Sequence, residues 1–213
     1  MKLLSGERIL WGGAMLEGHA LLFEGRVLAC LPVERTDGIE AERVEASGRY
    51  ILPGFVNVHV HGAMGYDAMD ATDKALDALS LAMAKDGVTA FLPTSVTAPM
   101  GEIDAAVRAV RRGMARPLPG AAILGMHLEG PWIDEAMRGA HPAAFISRSP
   151  DVSWVVERAD VLRIVTFSPT LDPEHSFTRR LRELSIVPSL GHTTADFDLA
   201  LSAVRAGARS ITH

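Results

Sequence analysis

The sequence predicts an α/β chain: a TIM-type (β/α) barrel with about six of its eight strands present, preceded by a small β module. Three observations predict it. From Tyr50 onward, short apolar runs alternate with helical patterns, which signals βαβ units and a parallel sheet. Histidine or glutamate stands at or just beyond the C-terminal end of several of those runs: His59 and His61, Glu129, His192 and His213. Before residue 50 no helical period of useful length occurs, only short apolar runs cut by glycine.

The β module is expected over residues 1–50. Within it, Ala20 to Phe23, then Glu24-Gly25, then Arg26 to Cys30 reads as a hairpin. The barrel region is expected over 51–213. Its first apolar run is Ile51 to His59. A helix follows over Asp73 to Lys85, with Leu76, Leu79 and Met83 on one stripe, Thr72 as N-cap and Gly87 as stop. The second run is Val88 to Leu92. Ile103, Val107 and Val110 mark the next helix, with Arg111 and Arg112 in its last turn. The third run is Ala121 to Leu128, and a short helix through Trp154 and Val155 leads to the fourth, Val161 to Phe167. Helices over Pro173 to Leu184 and Ala195 to Ala206 frame the fifth run, Ser185 to Leu190. Gly207 stops the latter helix before the sixth run, Ala208 to His213. A doubly wound sheet is the other architecture this alternation allows. It gathers ligands at one switch point and usually carries a glycine-rich phosphate turn. No G-x-G-x-x-G or P-loop occurs here, and the polar groups are spread over several strand ends, which favours a barrel rim.

The chain has 213 residues, 48% hydrophobic and 22% charged, with a formal net charge of −5. That is an ordinary globular composition with ample material for a core. Mild acidity gives no support for nucleic-acid binding, which wants a basic face. No stretch approaches the roughly 18 apolar residues of a membrane span, so no membrane contact is expected. The lone Cys30 excludes an internal disulfide framework and fits a reducing compartment. The N-terminus breaks into charge and glycine too early for a signal peptide. The expected location is cytoplasmic.

The residues that could do chemistry each have a bland reading beside the functional one. His59 and His61 are one residue apart at a strand end, so their side chains share a side. That is half of a metal site, since imidazole suits zinc, iron and related ions, or two polar residues leaving a strand for the Gly62 turn. Glu129, in His127-Leu128-Glu129-Gly130-Pro131, is a poor place for a carboxylate without a cation, or a solvated loop acid. His192, in Ser189-Leu190-Gly191-His192-Thr193-Thr194, follows a strand, and Thr193 or Thr194 with Asp196 can open a helix beside it. His213 ends the chain. His141, in Gly139-Ala140-His141-Pro142, is a ligand-contacting loop residue or surface. His19 and His175 read as surface, and Trp11, Trp132 and Trp154 as packing, with Trp132 the one that could contact a ligand. Arg111, Arg112 and Arg116 suggest a phosphate contact less than a solvated helix face. No G-x-S-x-G elbow is present, and Cys30 lies away from every histidine pattern.

Taken together, P-G-F-V-N-V-H-V-H-G at 53–62, H-L-E-G-P-W at 127–132, G-A-H at 139–141, S-L-G-H-T at 189–193 and S-I-T-H at 210–213 resemble the N-acetylglucosamine-6-phosphate deacetylases, a branch of the amidohydrolase superfamily. The H-x-H is shared by many amidohydrolases; H-L-E-G-P with G-H-T is much more specific. The resemblance implies hydrolysis of the acetamide of N-acetylglucosamine 6-phosphate to glucosamine 6-phosphate and acetate, in amino-sugar catabolism. It implies that Glu129, His192 and His213 hold the principal divalent ion, and that His59 and His61 match members with a second one. Zinc or iron is expected, one ion or two. His141 would contact the sugar or the amide carbonyl. The implied partner is a small phosphosugar, and a homodimer is expected.

The sequence departs from the family pattern after Thr212-His213. The Asn-Ala segment that follows there, the proton-shuttling aspartate of strand eight and the last barrel strands are not in it. No catalytic acid/base is therefore expected among residues 1–213, and the chain reads as an incomplete copy. Another amidohydrolase acting on a cyclic amide or dipeptide is the runner-up. Those usually carry a carboxylated lysine, and no lysine here ends a strand. A non-catalytic metal-binding fragment is the reading from outside enzymes.

Overall fold

The chain changes architecture at Pro53-Gly54. Proline has no N–H to offer a ladder. In the computed structural model, which describes all of residues 1–213, the backbone leaves β-structure after Ile51 and re-enters it at Phe55. Two compact units result, Met1–Gly54 and Phe55–His213. Ile51 therefore closes the last strand of the first unit and does not open the first strand of the second.

The first unit is one sheet of β1 (Lys2–Trp11), β2 (Ala14–Leu16), β3 (His19–Glu24), β4 (Arg26–Pro32) and β5 (Glu42–Ile51). β1 is its centre: β2 and β3 pair with it antiparallel, while β5 runs parallel along it. The expected hairpin is β3 and β4, turned at Gly25 with φ +68°. Parallel pairing of β1 with β5 slips at Gly6, where a Cβ would stand 2.8 Å from the Arg49 carbonyl oxygen; only glycine fits that approach. Leu3, Ile9 and Ala20 form its small buried centre.

The second unit alternates strand and helix. Its strands are β6 (Phe55–Val60), β7 (Gly62–Ala63), β8 (Tyr66–Asp67), β9 (Val88–Pro93), β10 (Ala122–Ile123), β11 (Met126–Glu129), β12 (Leu162–Phe167), β13 (Val187–Leu190) and β14 (Ser210–Ile211). Its helices are α1 (Asp73–Lys85), α2 (Met100–Met114), α3 (Val152–Val156), α4 (Ser176–Glu183) and α5 (Phe197–Ala206). β6, β9 and β10 pair in parallel; so do β11, β12, β13 and β14. A Thr94–His127 bridge joins the two groups. The strands therefore follow one another in chain order with no reversal, which is the order of a barrel wall and not of a doubly wound sheet. The expected third strand is split into β10 and β11 at Leu124-Gly125, where Gly125 takes φ +150°.

The helices cover this sheet with the faces their periodicity indicates. Leu76 and Leu79 of α1 and Ile103 and Val110 of α2 are fully buried, packed with Phe91, Leu128, Val165 and Phe167. Thr72 Oγ1 accepts from the Ala75 N–H as the N-cap of α1, and Gly87 follows its end at φ +76°. For α5 the cap is Asp196, which accepts from Leu199 N–H, so Thr193 and Thr194 are free for another task. Trp132 is buried edge-to-face against Trp154 and Phe177, a packing role. Arg111, Arg112 and Arg116 pair with Asp160, Asp73 and Asp77 on the helix surface. His175 is half-buried, its Nε2 2.9 Å from Ser202 Oγ, and is not a plain surface residue.

Candidate metal centre

Each residue singled out by strand-end position arrives at one rim of the second unit. His61 directly follows β6, Glu129 is the last residue of β11, and His192 and His213 lie two residues beyond β13 and β14. Their side chains converge on the carboxylate of Glu129, which is 1% exposed. Oε2 faces His61 Nε2 at 3.0 Å and His59 Nε2 at 3.3 Å. Oε1 faces His192 Nε2 at 3.1 Å and His213 Nε2 at 3.2 Å. One carboxylate thus stands between two imidazole pairs, and each triad has its donor atoms within 4.8 Å of one another.

The hydrogen bonds made by the far ring nitrogens sort these histidines by task. His192 Nδ1 lies 2.8 Å from the Met137 carbonyl oxygen, and His61 Nδ1 3.2 Å from that of Thr94. A carbonyl only accepts, so in the neutral ring each Nδ1 carries the proton and each Nε2 keeps a lone pair toward Glu129. That is the usual arrangement of a metal-ligating histidine, whose second nitrogen donates to the protein. His141 is wired the other way. Its Nδ1 receives the Thr97 backbone N–H at 3.0 Å, with Thr97 Oγ1 at 2.8 Å. A backbone N–H only donates, so in neutral His141 the proton sits on Nε2, 3.7 Å from Glu129 Oε2. His141 is thus a buried donor beside the five-residue cluster. Gly130, at φ +70°, is required here: a Cβ would collide with Thr97 Oγ1, the group that holds His141.

The donor set fits a divalent cation. Burial pushes the Glu129 carboxyl upward, but His141, His59 and His61, when their Nε2 atoms carry protons, outweigh it and hold the group well below the ordinary carboxylate range; a bound cation would take the place of those protons on His59 and His61. His61 is raised chiefly by its hydrogen bond to Glu129. A buried anion ringed by imidazole nitrogens that approach each other to 3.1 Å is a costly arrangement without a positive charge at its centre. Nitrogen and carboxylate oxygen ligands of this kind suit zinc and iron.

His127, which sequence reasoning left unassigned, supports the cluster from below. Its Nδ1 is 2.9 Å from the Val58 carbonyl oxygen, so Nδ1 donates and Nε2 accepts from Thr166 Oγ1 at 2.7 Å. Thr166 in turn meets Thr212 Oγ1, and Thr212 meets Ser189 Oγ. Burial pushes His127 down to about 4, so it stays neutral. Asp134 was also missed. It lies in the loop after β11, and its carboxylate binds Ser168, Thr170, Thr193 and Thr194. Beside it, Ile133, Asp134, Arg138, Arg148, Leu171 and Thr194 line an open cavity of about 600 Å³.

An in-order parallel strand array that collects a buried carboxylate and several imidazoles beyond its C-terminal ends defines a metal-binding α/β protein with its site at a barrel-type rim. The amidohydrolase family model matches residues 50–166. The chain belongs to the amidohydrolase family. It is 35% identical over 204 residues to the N-acetylglucosamine-6-phosphate deacetylase of Bacillus subtilis, covering 92% of this chain and 51% of that protein. To the human enzyme of the same name it is 36% identical, covering 100% and 51%. The crystal structure of N-acetylglucosamine-6-phosphate deacetylase from Pasteurella multocida superimposes with a TM-score of 0.88 at 28% identity, over 100% of this chain and 56% of that one. The chain thus spans about half the length of the curated relatives it matches.

Proposed function

We propose that this protein hydrolyses the acetamide of N-acetylglucosamine 6-phosphate, giving glucosamine 6-phosphate and acetate. The observation that carries the reading is the Glu129 carboxylate set between His59/His61 and His192/His213 with a proton-bearing His141 Nε2 beside it. The similarity to deacetylases named for this phosphosugar supplies the substrate.

Glu129, His192 and His213 would hold one ion, and His59 and His61 would share Glu129 to hold a second. A zinc or iron ion there supplies a Lewis acid for the amide carbonyl and lowers the pKa of water. The chain's own contribution is orientation. Met137 and Thr94 fix two ligand rings through their Nδ1 atoms. His141 presents Nε2–H to the carbonyl oxygen, where negative charge develops on attack. Asp134, a carboxylate at this rim, is occupied by hydroxyl and amide donors. By its resemblance to the deacetylases, the group that takes and returns the proton of the attacking water is an aspartate that is not among residues 1–213. We place the protein in the cytoplasm, in keeping with its single Cys30, and expect it to act as a homodimer.

The test is acetate release by the full-length protein from N-acetylglucosamine 6-phosphate, with zinc or iron supplied. Turnover that a chelator abolishes and metal restores, and that falls sharply for the unphosphorylated sugar, is the expected result. No acetate from the phosphosugar after metal loading, or equal turnover of both sugars, overturns the reading.

A further inference from the structure

His192 adopts φ +50°, in the left-handed region that L residues other than glycine adopt only at a cost in strain. A ligand in that conformation has to be held there by its surroundings. The loop after β11 does so from three directions. Asp134 N–H donates to the His192 carbonyl oxygen at 2.9 Å. Asp134 Oδ2 accepts from the Thr194 N–H at 2.6 Å and from Thr194 Oγ1 at 2.8 Å. The Met137 carbonyl oxygen takes the His192 Nδ1 proton at 2.8 Å. On its other side the same carboxylate accepts from Ser168 Oγ at 2.9 Å and Thr170 Oγ1 at 2.6 Å, in the segment that follows β12.

From this geometry we infer that Asp134 is a positioning residue for the metal centre: it clamps the strained Gly191–Thr194 turn so that His192 Nε2 stands over Glu129 Oε1. The inference rests on the metal reading above. Every donor to the carboxylate is neutral, and Oδ2 alone faces the Thr194 amide and three hydroxyls, so a full negative charge is matched to the number of donors. Asp134 touches no metal ligand through its side chain. It acts through Thr194 and the backbone of His192. Because its loop also begins at Glu129, it ties together the two ligands of one triad, which come from different strands.

The experiment compares the unsubstituted chain, Asp134→Ala, His192→Ala and the double variant. Zinc affinity is read by chelator competition and site geometry by the visible spectrum of the cobalt-loaded protein. Asp134→Ala should weaken zinc binding about 10–100-fold, the usual effect of losing an outer-shell partner, and should move the cobalt bands. In the His192→Ala background the same substitution should add nothing, because the ligand it positions is gone. Asp134→Asn, whose Oδ1 can still take the Thr194 N–H, should recover most of the affinity. Should Asp134→Ala not fold, Asp134→Ser carries the same readings, its hydroxyl being too short to reach that amide. Unchanged affinity and spectrum, or a loss that persists in full without His192, overturns the inference. Failure of the unsubstituted chain to bind zinc overturns the metal reading itself.

Discussion

At the scale of single residues, two histidines a few ångströms apart are separated in role by where their protons sit. His192 gives its Nδ1 proton to a carbonyl and keeps a lone pair on Nε2; His141 receives an amide proton on Nδ1 and so carries its own on Nε2. Residue type is the same, and the backbone group opposite each ring decides. Substituting His141 by Asn should therefore leave zinc affinity near that of the unsubstituted protein, while lowering kcat of the full-length protein by about 10²–10³-fold, as loss of one oxyanion donor does. Substituting His192 by Ala should do the reverse first, weakening zinc binding. Parallel metal titrations and kinetics check this: zinc affinity that falls equally in both variants would place His141 among the ligands. His59, His61, Glu129, His192, His213 and His141 were all legible in the sequence as strand-end or loop positions. His127 and Asp134 were not. A histidine two residues before an acid, or an aspartate in a polar loop, has no spacing that separates it from many idle ones. Their partners, Val58 and Thr166, or Thr170 and Thr194, lie far along the chain.

At the scale of elements, the rim is held together by a directional hydrogen-bond chain inside the strand array. Because His127 Nδ1 donates to Val58, Nε2 must accept from Thr166; Thr166 then accepts from Thr212, and Thr212 from Ser189. The chain links residues of β6, β11, β12 and β13 with Thr212 at the end of β14. β9 separates β6 from β11 in strand order, so the reach of His127 to Val58 reports curvature of the wall. Replacing Thr166 by Val removes the central hydroxyl and leaves the buried His127 Nε2 and Thr212 hydroxyl without that partner. A destabilisation of about 1–3 kcal/mol is expected, the desolvation penalty of unsatisfied buried groups. Chemical denaturation of the metal-free protein checks it, and a change below about 0.5 kcal/mol, the size of an ordinary surface substitution, would show that the chain of hydroxyls carries no stability. The sequence indicated these strands by apolar run and flanking helix, yet their bounds moved where backbone geometry intervened. Ile51 went to the sheet before it because Pro53 interrupts the ladder, and Gly125 split the third run.

At the scale of the whole molecule, the strand array leaves apolar side chains exposed. Phe55, Val56 and Val58 of β6 are 70%, 55% and 46% exposed, and Ile211 of β14 is 74% exposed. β14 pairs with β13 alone. Exposed strand edges bearing apolar side chains invite pairing with other chains. A polypeptide of residues 1–213 should therefore self-associate in a concentration-dependent way, and Val56→Lys with Ile211→Lys should reduce that association. Sedimentation velocity over a range of concentrations checks it; a monomer at all concentrations, before any substitution, would show that these edges are silent.

What the sequence determined by itself was the alternation of strand and helix, the faces that the helices bury, and the positions at which chemistry could sit. These are local properties: a period of 3.6 or 2 residues, a cap, a glycine stop, a histidine after an apolar run. Tertiary structure alone decided which far-apart residues became neighbours and which nitrogen of each histidine holds its proton. It also decided that the turn carrying His192 is clamped by a carboxylate nearly sixty positions earlier in the chain. The physical reason is that a lone pair is oriented by the group opposite it. That group is brought there by the packing of strands and loops, which no local spacing records.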